Sequence, residues 1–495
     1  MTLTANYKKR ARTAFTFLLT GLCLALVMQT AFIPMSDPDN FWHIKNGEWI
    51  AANKTIPYSD HFSWYGMENG FKWTSHEWLY DLLSYGVFSL GAFFGAENGG
   101  FTAIRLMVAV VILAFFFLTY ALVHIKTKSL TAALLIAMIS ARGLVPHIQP
   151  RPQIFSFCLF IVFMILMEKK KYAWGIPVII IGTNLHGGVY PVYLALGAYY
   201  LLQNVTLKRF IIYMALFLPA VLINPYGFGI YMYTIKSMSF ADTAKYINEW
   251  KPTVLFEYKP LMLCLAVLPL LLKYAKVRAK DIILLLGVYF MALKSARHMA
   301  LFYIISLPAV SPYICETFAI YNAAMRNDQK AEKFVKAVNN LKTVLVKAAG
   351  KVWLPVCAVS AAACLLLFFV LAAGHIEPQA EYPYELVNYV RTHPEMRRIF
   401  NDYNIGGYFI FNDIPVFIDG RQDLYTPNFN DTNIFTEYSG LLYSEDEDYG
   451  SFFEEHRIDY IILGKGMTLS KLLKNDSRYP VIFETELYFV FRNDA

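Results

Sequence analysis

The sequence predicts a mainly α-helical, polytopic membrane domain followed by a small soluble domain of the α/β or α+β class. The chain of 495 residues is 57% hydrophobic and only 16% charged, whereas a soluble protein carries about 25% charged residues. Apolar runs of roughly 18 or more residues, long enough to cross a bilayer as helices, recur along the chain. The C-terminal quarter has an ordinary soluble composition instead, which predicts a separate domain.

Charge divides the chain at the same place as composition. From residue 375 onwards the sequence has 10 Lys and Arg against 21 Asp and Glu, so the net charge of +7 leaves +18 for the rest. Those basic residues lie in short loops between apolar runs, where they indicate membrane topology and not a nucleic-acid partner. We expect a membrane domain over 1–374 and an extracytoplasmic soluble domain over 375–495.

About eleven membrane spans are predicted, although several runs are shorter than the ~20 residues of a full crossing. The runs lie near residues 14–34, 101–123, 129–146, 153–167, 172–183, 189–203, 210–223, 260–272, 281–294, 299–318 and 352–373. The first follows "KKRAR" and lacks a small-residue cleavage site, so it is interpreted as an uncleaved helix with a cytoplasmic N-terminus.

The basic loops order these spans, because Lys and Arg are retained on the cytoplasmic side. The loops alternate correctly only if residues 35–100 form one external loop. Segment 77–95 then lies along the interface or re-enters the membrane, with a spanning helix as the alternative. The basic, amphipathic stretch 326–351 is expected to be a cytoplasmic surface helix that contacts membrane lipids.

The soluble domain shows alternating helix and strand patterns. The predicted elements are a helix "PYELVNYVRTH", strands at "RRIFN" and "PVFID", a helix at 451–456, a strand "IDYIILG", a helix at 468–475 and a terminal hairpin of "PVIFET" and "LYFVFR". The charged turn "IDGRQDLY" (418–425) is interpreted as an internally paired loop. The alternative is that this domain covers the active site or recognises the acceptor.

The external loop 35–100 is rich in groups able to carry out chemistry. Asp37 and Asp39 directly follow the first apolar run, and His43 comes one helical turn later. Such an acid pair can bind a divalent cation or supply a general base. The alternative is a helix-capping turn, since "SDPDN" also has that composition. The motif "SHEW" adds His76 and Glu77.

Five tryptophans are interleaved with these groups. Aromatic side chains at this depth are typical of the interfacial belt, and they also form flat platforms for sugar rings. Both interpretations stay open. The sequence contains no HExxH, P-loop or GxSxG motif, so protease, nucleotide-dependent and serine-hydrolase functions are not indicated.

Four basic side chains in external turns are expected to converge on one face. They are Arg151 in "RPQ", His186 in "NLHGG", and Arg297 and His298 in "SARH". Ionisable groups near a bilayer are costly and tend to mark sites, although helix ends also tolerate them without a function. As a set they suit a phosphate group, which arginine binds through its planar fork.

These motifs together resemble the C-type glycosyltransferase (GT-C) superfamily. The resemblance extends over nearly the whole chain: a cytoplasmic N-terminus, one membrane helix and a long external loop that opens with acids. Locally, the sequence resembles a bacterial, largely uncharacterised branch of predicted glycosyltransferases. The motifs that carry this resemblance are "DPDNFWHIKNGEWI", "IPYSDHFSW", "WTSHEWLYD", "RPQ", "NLHGG", "INPYG", "SARH" and "DYNIGGYFIFNDIPVFIDGRQDLY".

The resemblance implies a GT-C fold, a polyprenyl-phosphate-linked sugar donor, and a glycan, lipid or protein acceptor outside the bacterial cytoplasmic membrane. It assigns the catalytic base to Asp37 or Asp39. Asp37 is slightly favoured because it is nearer the first predicted membrane helix. Some members bind Mg²⁺ or Mn²⁺ through such acids, and the only residues here for that role are Asp37 and Asp39. The Asp-Pro-Asp order matches neither the metal-binding nor the adjacent-pair pattern, which leaves metal dependence open.

Substrate or phosphate binding is assigned to a wider set of residues: His43, His76, Glu77, Arg151, His186, Arg297 and His298. The tail has no WWDYG-type acceptor motif, which argues against an oligosaccharyltransferase. Two other functions are weighed beside the transferase: a non-catalytic lipid-linked glycan binder or assembly protein, and a lipid-linked sugar transporter. A transporter predicts duplicated halves with broken helices at the midplane, and no such duplication is seen.

Overall fold

The computed structural model describes residues 37–239, 243–254, 259–324, 383–443 and 448–495, together with single residues at 21, 359, 362 and 366. This part of the chain is mainly helical and contains one small sheet. The expectations for the first span, the last span and the basic stretch 326–351 concern residues outside these ranges.

The first part of the chain forms a helical bundle. Its helices are α1 (Pro38–Asn53), α2 (Trp64–Glu68), α3 (Trp78–Thr127), α4 (Leu130–Leu144), α5 (Gln153–Glu168), α6 (Gly175–Leu185), α7 (Tyr190–Asn204), α8 (Leu207–Val221), α9 (Gly229–Ser239), α10 (Thr243–Tyr246), α11 (Lys259–Tyr274), α12 (Ala279–Lys294), α13 (Met299–Leu301) and α14 (Leu307–Ala324). A π-helical turn, Phe302–Ser306, joins the last two.

Three helices among the described residues are long and apolar enough to cross a membrane. They are Glu97–Thr127, Leu130–His147 and Ala296–Ile320, and the shorter apolar helices are Gln153–Glu168, Tyr172–Leu185 and Gly187–Leu202. The expected count of about eleven spans is not confirmed, because many of the other helices fall short of the ~20 residues of a full crossing.

Helix α3 folds back on itself between Gly91 and Gly99. A Cβ atom at Gly91 would lie 2.3 Å from the carbonyl oxygen of Gly99, whereas eight residues of straight helix span about 12 Å. The rings of Phe88 and Phe101 pack at 5.1 Å. Segment 77–95 is therefore one arm of a hairpin against the first long apolar helix. Its position relative to a membrane stays a prediction.

The basic loops predicted to be cytoplasmic lie together at one end of the bundle. Lys126 of "IKTK" binds Glu168 of "EKKKY" with a distance of 2.6 Å between Nζ and Oε1. Arg278 of "KYAKVRAK" binds Asp281 at 2.7 Å, and Asp281 also accepts a hydrogen bond from Tyr199. The first loop, which is predicted to be external, meets Arg151 and His186 at the opposite ends of these helices.

The C-terminal segment is an α+β unit. Its helices are α15 (Tyr384–Thr392), α16 (Tyr403–Phe411), α17 (Pro427–Asn430), α18 (Ile434–Tyr443), α19 (Tyr449–Glu455) and α20 (Thr468–Lys474). The strands β1 (Ile399–Asn401), β2 (Tyr460–Gly464), β3 (Val481–Glu484) and β4 (Tyr488–Arg492) form a sheet of order β1-β2-β4-β3. Only the β1–β2 pair is parallel. Helices α16 and α18 were not predicted, because aromatic residues and glycines obscure their period.

The predicted strand "PVFID" is wrong. This segment pairs with the external loop at a single bridge between Ser63 and Val416. Its next backbone groups bond to a side chain instead of a strand: the amide of Phe417 donates to Asn401 Oδ1 at 2.8 Å, and Asn401 Nδ2 donates to the carbonyl of Ile418 at 2.8 Å. Because one buried amide satisfies both groups, the segment needs no neighbouring strand.

The C-terminal segment and the first external loop share one hydrophobic core. Phe41 on α1 packs against Tyr408 on α16 with ring centroids 5.0 Å apart, and Trp64 Nε1 donates to the carbonyl of Ile399 at 3.1 Å. A Cβ atom at Gly407 would lie 1.8 Å from the carbonyl oxygen of Pro38. Glycine at this position therefore lets α16 lie directly against the start of α1.

We expect Gly407→Ala to lower the thermal unfolding temperature of the detergent-purified protein. Alanine normally stabilises a helix by up to about 1 kcal/mol relative to glycine, but here the added methyl group forces two backbones apart, and overpacking costs about 1–3 kcal/mol. Gly466→Ala is the control, because a Cβ there meets no atom within 4 Å. An unchanged or higher unfolding temperature for Gly407→Ala would contradict the close docking.

Candidate functional site

Asp37 caps the first helix of the external loop. Its side chain accepts a hydrogen bond from the amide of Asp39, and Pro38 occupies the first turn of α1. This is the capping turn that the sequence left open as the simple interpretation. The cap does not exclude chemistry, because it also orients both aspartates toward the same guanidinium group.

Arg151 binds both aspartates at once. Its Nε and Nη2 atoms donate to Asp37 Oδ2 and Oδ1 at 2.6 and 2.8 Å, and its Nη1 lies 3.0 Å from Asp39 Oδ2. Trp42 Nε1 donates to Asp39 Oδ1 at 3.1 Å. All four carboxylate oxygens thus have a hydrogen bond or an ion pair, and the guanidinium occupies the position that a cation would take. The sequence left open a divalent cation at Asp37 and Asp39, and here Arg151 takes that place; its own fork, predicted to bind phosphate, is occupied by the two carboxylates.

Asp39 is the more available of the two acids. Burial raises its pKa to about 6, although the charge of Arg151 opposes this shift, and the neighbouring charge of Asp37 adds to it. The Asp39 side chain is 16% exposed and that of Asp37 only 2%. A Cβ atom at Gly420 would lie 1.9 Å from Asp39 Oδ1. The backbone of the C-terminal segment therefore packs directly against this carboxylate.

His43 lies deeper and is fixed by Asp81. The two side chains approach to 2.5 Å between Nδ1 and Oδ1, while Asn46 Nδ2 and Ser75 Oγ donate to Asp81 Oδ2 at 2.6 and 3.2 Å. Burial alone lowers the pKa of His43, but the carboxylate of Asp81 outweighs it and the pKa is raised. Asp81 was not singled out in the sequence, although it lies four residues after Glu77 at helical spacing.

Glu77 is surrounded by three histidines. Its Oε2 lies 3.7 Å from His43 Nε2, and its Oε1 lies 3.6 Å from His76 Nε2 and 3.5 Å from His186 Nε2. Burial raises the pKa of Glu77 to about 7. Burial also lowers the pKa of His76 to about 4, and that of His186 well below its usual value. Near neutral pH both rings are therefore uncharged.

Arg297 lies in a short helical turn, Ala296–His298, between α12 and α13. Its Nη1 lies 3.3 Å from Glu249 Oε1, and its guanidinium packs over the ring of Trp250 at 5.0 Å. Its charge opposes the rise in the pKa of Glu77 and adds to the lowering of the pKa of His186. His298 lies with its ring 6.5 Å from that of Trp250. The sequence did not point to Glu249 or Trp250, because their short turn lacks a motif.

Arg421 connects the C-terminal segment to the first loop (residues 37–100). Its guanidinium donates to both oxygens of Asp419 at 2.8 and 2.7 Å and to Asp60 Oδ1 at 2.8 Å. It also packs over the ring of Trp73 at 4.6 Å. "IDGRQDLY" is thus internally paired, as expected, and also paired with the loop. Asp423 of the same turn faces His76, and burial raises its pKa to about 6.

The chain consists of a helical bundle that carries an acid-rich loop at one end, packed against a C-terminal α+β segment, and solved structures share this fold. The chain is similar to two solved structures of the Archaeoglobus fulgidus oligosaccharyltransferase. One is the apo form, and the other is tethered by a disulfide bond to an acceptor peptide containing the NVT sequon. Each matches with a TM-score of 0.55 and 10% identity, over 91% of this chain and 69% of the other.

No protein-family model matches the sequence, and no curated protein sequence is detectably similar to it. At 10% identity the structural similarity establishes the fold alone. The function therefore has to be argued from the residues of the site.

Proposed function

We propose that this chain is a glycosyltransferase of the bacterial cytoplasmic membrane that moves a sugar from a polyprenyl-phosphate-linked donor to an extracytoplasmic glycan, lipid or protein. The observation that carries the proposal is Asp39. It is a partly exposed acid whose pKa is raised to about 6, between Arg151 and the backbone at Gly420. A general base works best when its pKa lies near the operating pH.

The reaction is a displacement at the anomeric carbon of the donor. Asp39 takes the proton of the acceptor hydroxyl, the acceptor oxygen bonds to the anomeric carbon, and the bond from that carbon to the phosphate oxygen breaks. The polyprenyl phosphate leaves with the electron pair. Arg151 and Asp37 hold Asp39 in place and so act as positioning residues.

The leaving phosphate needs a cationic side chain that is not already fully paired with carboxylates. Arg297 suits this role better than Arg151, because its side chain is 32% exposed and its one carboxylate contact is long, at 3.3 Å. Arg151 has three close carboxylate contacts instead. Charge that develops on the leaving group is stabilised most by donors that are already in place.

The test uses purified protein and a panel of polyprenyl-phosphate sugars, with release of the lipid phosphate as the measurement. We expect wild-type protein to release it from at least one donor, and the double variant Asp37→Asn with Asp39→Asn to lose this activity. Asp413→Asn is the matched control, because Asp413 is an exposed acid whose partner is Lys45. Equal release by the wild type and the double variant contradicts the proposal. Donor binding without release supports a non-catalytic glycan binder instead.

A further inference from the structure

A second group of side chains, separate from the paired aspartates, lies where two segments of the site meet. His76 and Glu77 directly precede α3, and His186 follows the end of α6. The amide of Gly187 donates to the carbonyl of His76 at 2.9 Å, and Trp78 Nε1 donates to Asn184 Oδ1 at 3.0 Å. These bonds hold the two segments together on either side of the three side chains.

His76 and His186 both point their Nε2 atoms toward Glu77 Oε1, while their Nδ1 atoms face other partners. His76 Nδ1 faces the carbonyl of Thr74 at 3.4 Å, and His186 Nδ1 faces Ser156 Oγ at 3.2 Å. A neutral imidazole that gives its one proton to such an acceptor has a lone pair on Nε2. Both Nε2 atoms then point toward Glu77 Oε1, at 3.6 and 3.5 Å.

When Glu77 is ionised and both imidazoles carry their proton on Nδ1, three lone-pair donors face one another, and a positive charge between them stabilises that arrangement. The ligand atoms of His76, Glu77 and His186 all lie within 4.8 Å of one another. We propose that these three residues bind a divalent transition-metal ion, and that the ion is Zn²⁺, through His76 Nε2, His186 Nε2 and Glu77 Oε1. Two histidines and one glutamate are a ligand set that zinc takes in enzymes, with one coordination position left open.

The surroundings of the cluster suit a metal ion. Bound ligands lie about 2.0–2.2 Å from zinc, so neighbouring ligand atoms are roughly 3.4 Å apart, and the distances from Glu77 Oε1 to the two Nε2 atoms, 3.6 and 3.5 Å, are already close to this value. Thr74 and Ser156 contact the Nδ1 atoms on the far side of the two rings and orient them, as outer partners of metal-binding histidines do. Asp81 and Asp423 face the cluster and offset the charge of Arg297.

This site differs from the cation site that the sequence left open at Asp37 and Asp39. There three of the four carboxylate oxygens accept an N–H hydrogen bond, and the fourth, Asp39 Oδ2, forms an ion pair with Arg151. At the histidine cluster the contacts are longer, and both Nε2 atoms have a free lone pair when the ring proton is on Nδ1. Oxygen-only ligands favour Mg²⁺ or Mn²⁺, whereas imidazole nitrogens favour later transition metals. The inference therefore concerns both a different location and a different ion, and it does not depend on the proposed transferase reaction.

The experiment measures metal binding without any sugar donor. Wild-type protein is stripped with a chelator, reloaded with Zn²⁺ or Co²⁺, passed over a desalting column and analysed by mass spectrometry for metal content. We expect about one equivalent per chain, a visible Co²⁺ absorption typical of four-coordination, and a higher unfolding temperature with Zn²⁺, because a ligand of the folded state stabilises it.

His186→Ala and Glu77→Gln are expected to lose the bound metal, the Co²⁺ absorption and the Zn²⁺-dependent rise in unfolding temperature. His147→Gln is the matched control, a histidine in the turn after α4 and outside the cluster, and it is expected to keep all three. Size-exclusion elution shows whether each variant is folded. Wild type without metal or Co²⁺ absorption, or folded variants that keep both, would overturn the site whether or not the protein transfers sugars.

Discussion

Replacing Asp39 by asparagine is expected to lower the rate of sugar transfer by about 10²- to 10⁴-fold, the usual contribution of a positioned general base. Asparagine has nearly the same shape and keeps the acceptor for Trp42, but it cannot take a proton. Initial rates of lipid-phosphate release at saturating donor measure the effect. Asp413→Asn, which changes an exposed acid, is expected to retain the wild-type rate.

The pH dependence of the transfer rate distinguishes Asp39 from Asp37 as the catalytic base. Only the deprotonated carboxylate is a base, so the wild-type rate is expected to fall as pH decreases through about 6, the pKa of Asp39. The negative charge of Asp37 helps to raise that pKa. Asp37→Asn is therefore expected to shift the midpoint of the profile to lower pH while retaining activity. Loss of activity in Asp37→Asn, together with activity in Asp39→Asn, would assign the base to Asp37.

Arg421→Met is expected to destabilise the protein by about 3–5 kcal/mol, the usual cost of leaving a buried charge without its partner. The side chain of Arg421 is 1% exposed, and those of Asp60 and Asp419 are fully buried. Without the guanidinium, two carboxylates stay unpaired in the shared core of the loop and the tail. Thermal unfolding in detergent, with limited proteolysis of the tail, measures the loss.

The control for Arg421 is an arginine with similar contacts on the surface. Arg478 binds Asp476 at 2.6 Å, but its side chain is 53% exposed, and exposed pairs contribute only about 0–1 kcal/mol. Arg478→Met is therefore expected to change the unfolding temperature little. Adding Asp60→Asn and Asp419→Asn to Arg421→Met should recover part of the loss, since the unpaired charges are then removed. Equal effects of the two single arginine variants would contradict the buried network.

Local patterns in the sequence predicted much of the C-terminal fold. Helix α15, strands β1 and β2, helices α19 and α20 and the terminal hairpin all form where the apolar periods placed them. The predicted strand "PVFID" failed because its hydrogen-bond partners are Asn401 and the external loop. Periodicity describes which residues are buried, but it does not show which neighbour supplies the hydrogen bonds.

Composition and residue type alone determined that this is a helical, membrane-type chain whose first loop concentrates acids, histidines and tryptophans. Only the tertiary structure decided how those groups combine. It placed Arg151 on Asp37 across 114 positions of sequence, His186 beside Glu77, and Arg421 on Asp60 across 361 positions. A pKa, a metal-ligand set or a buried ion pair depends on distances of a few ångströms, which long-range packing fixes and local sequence does not contain.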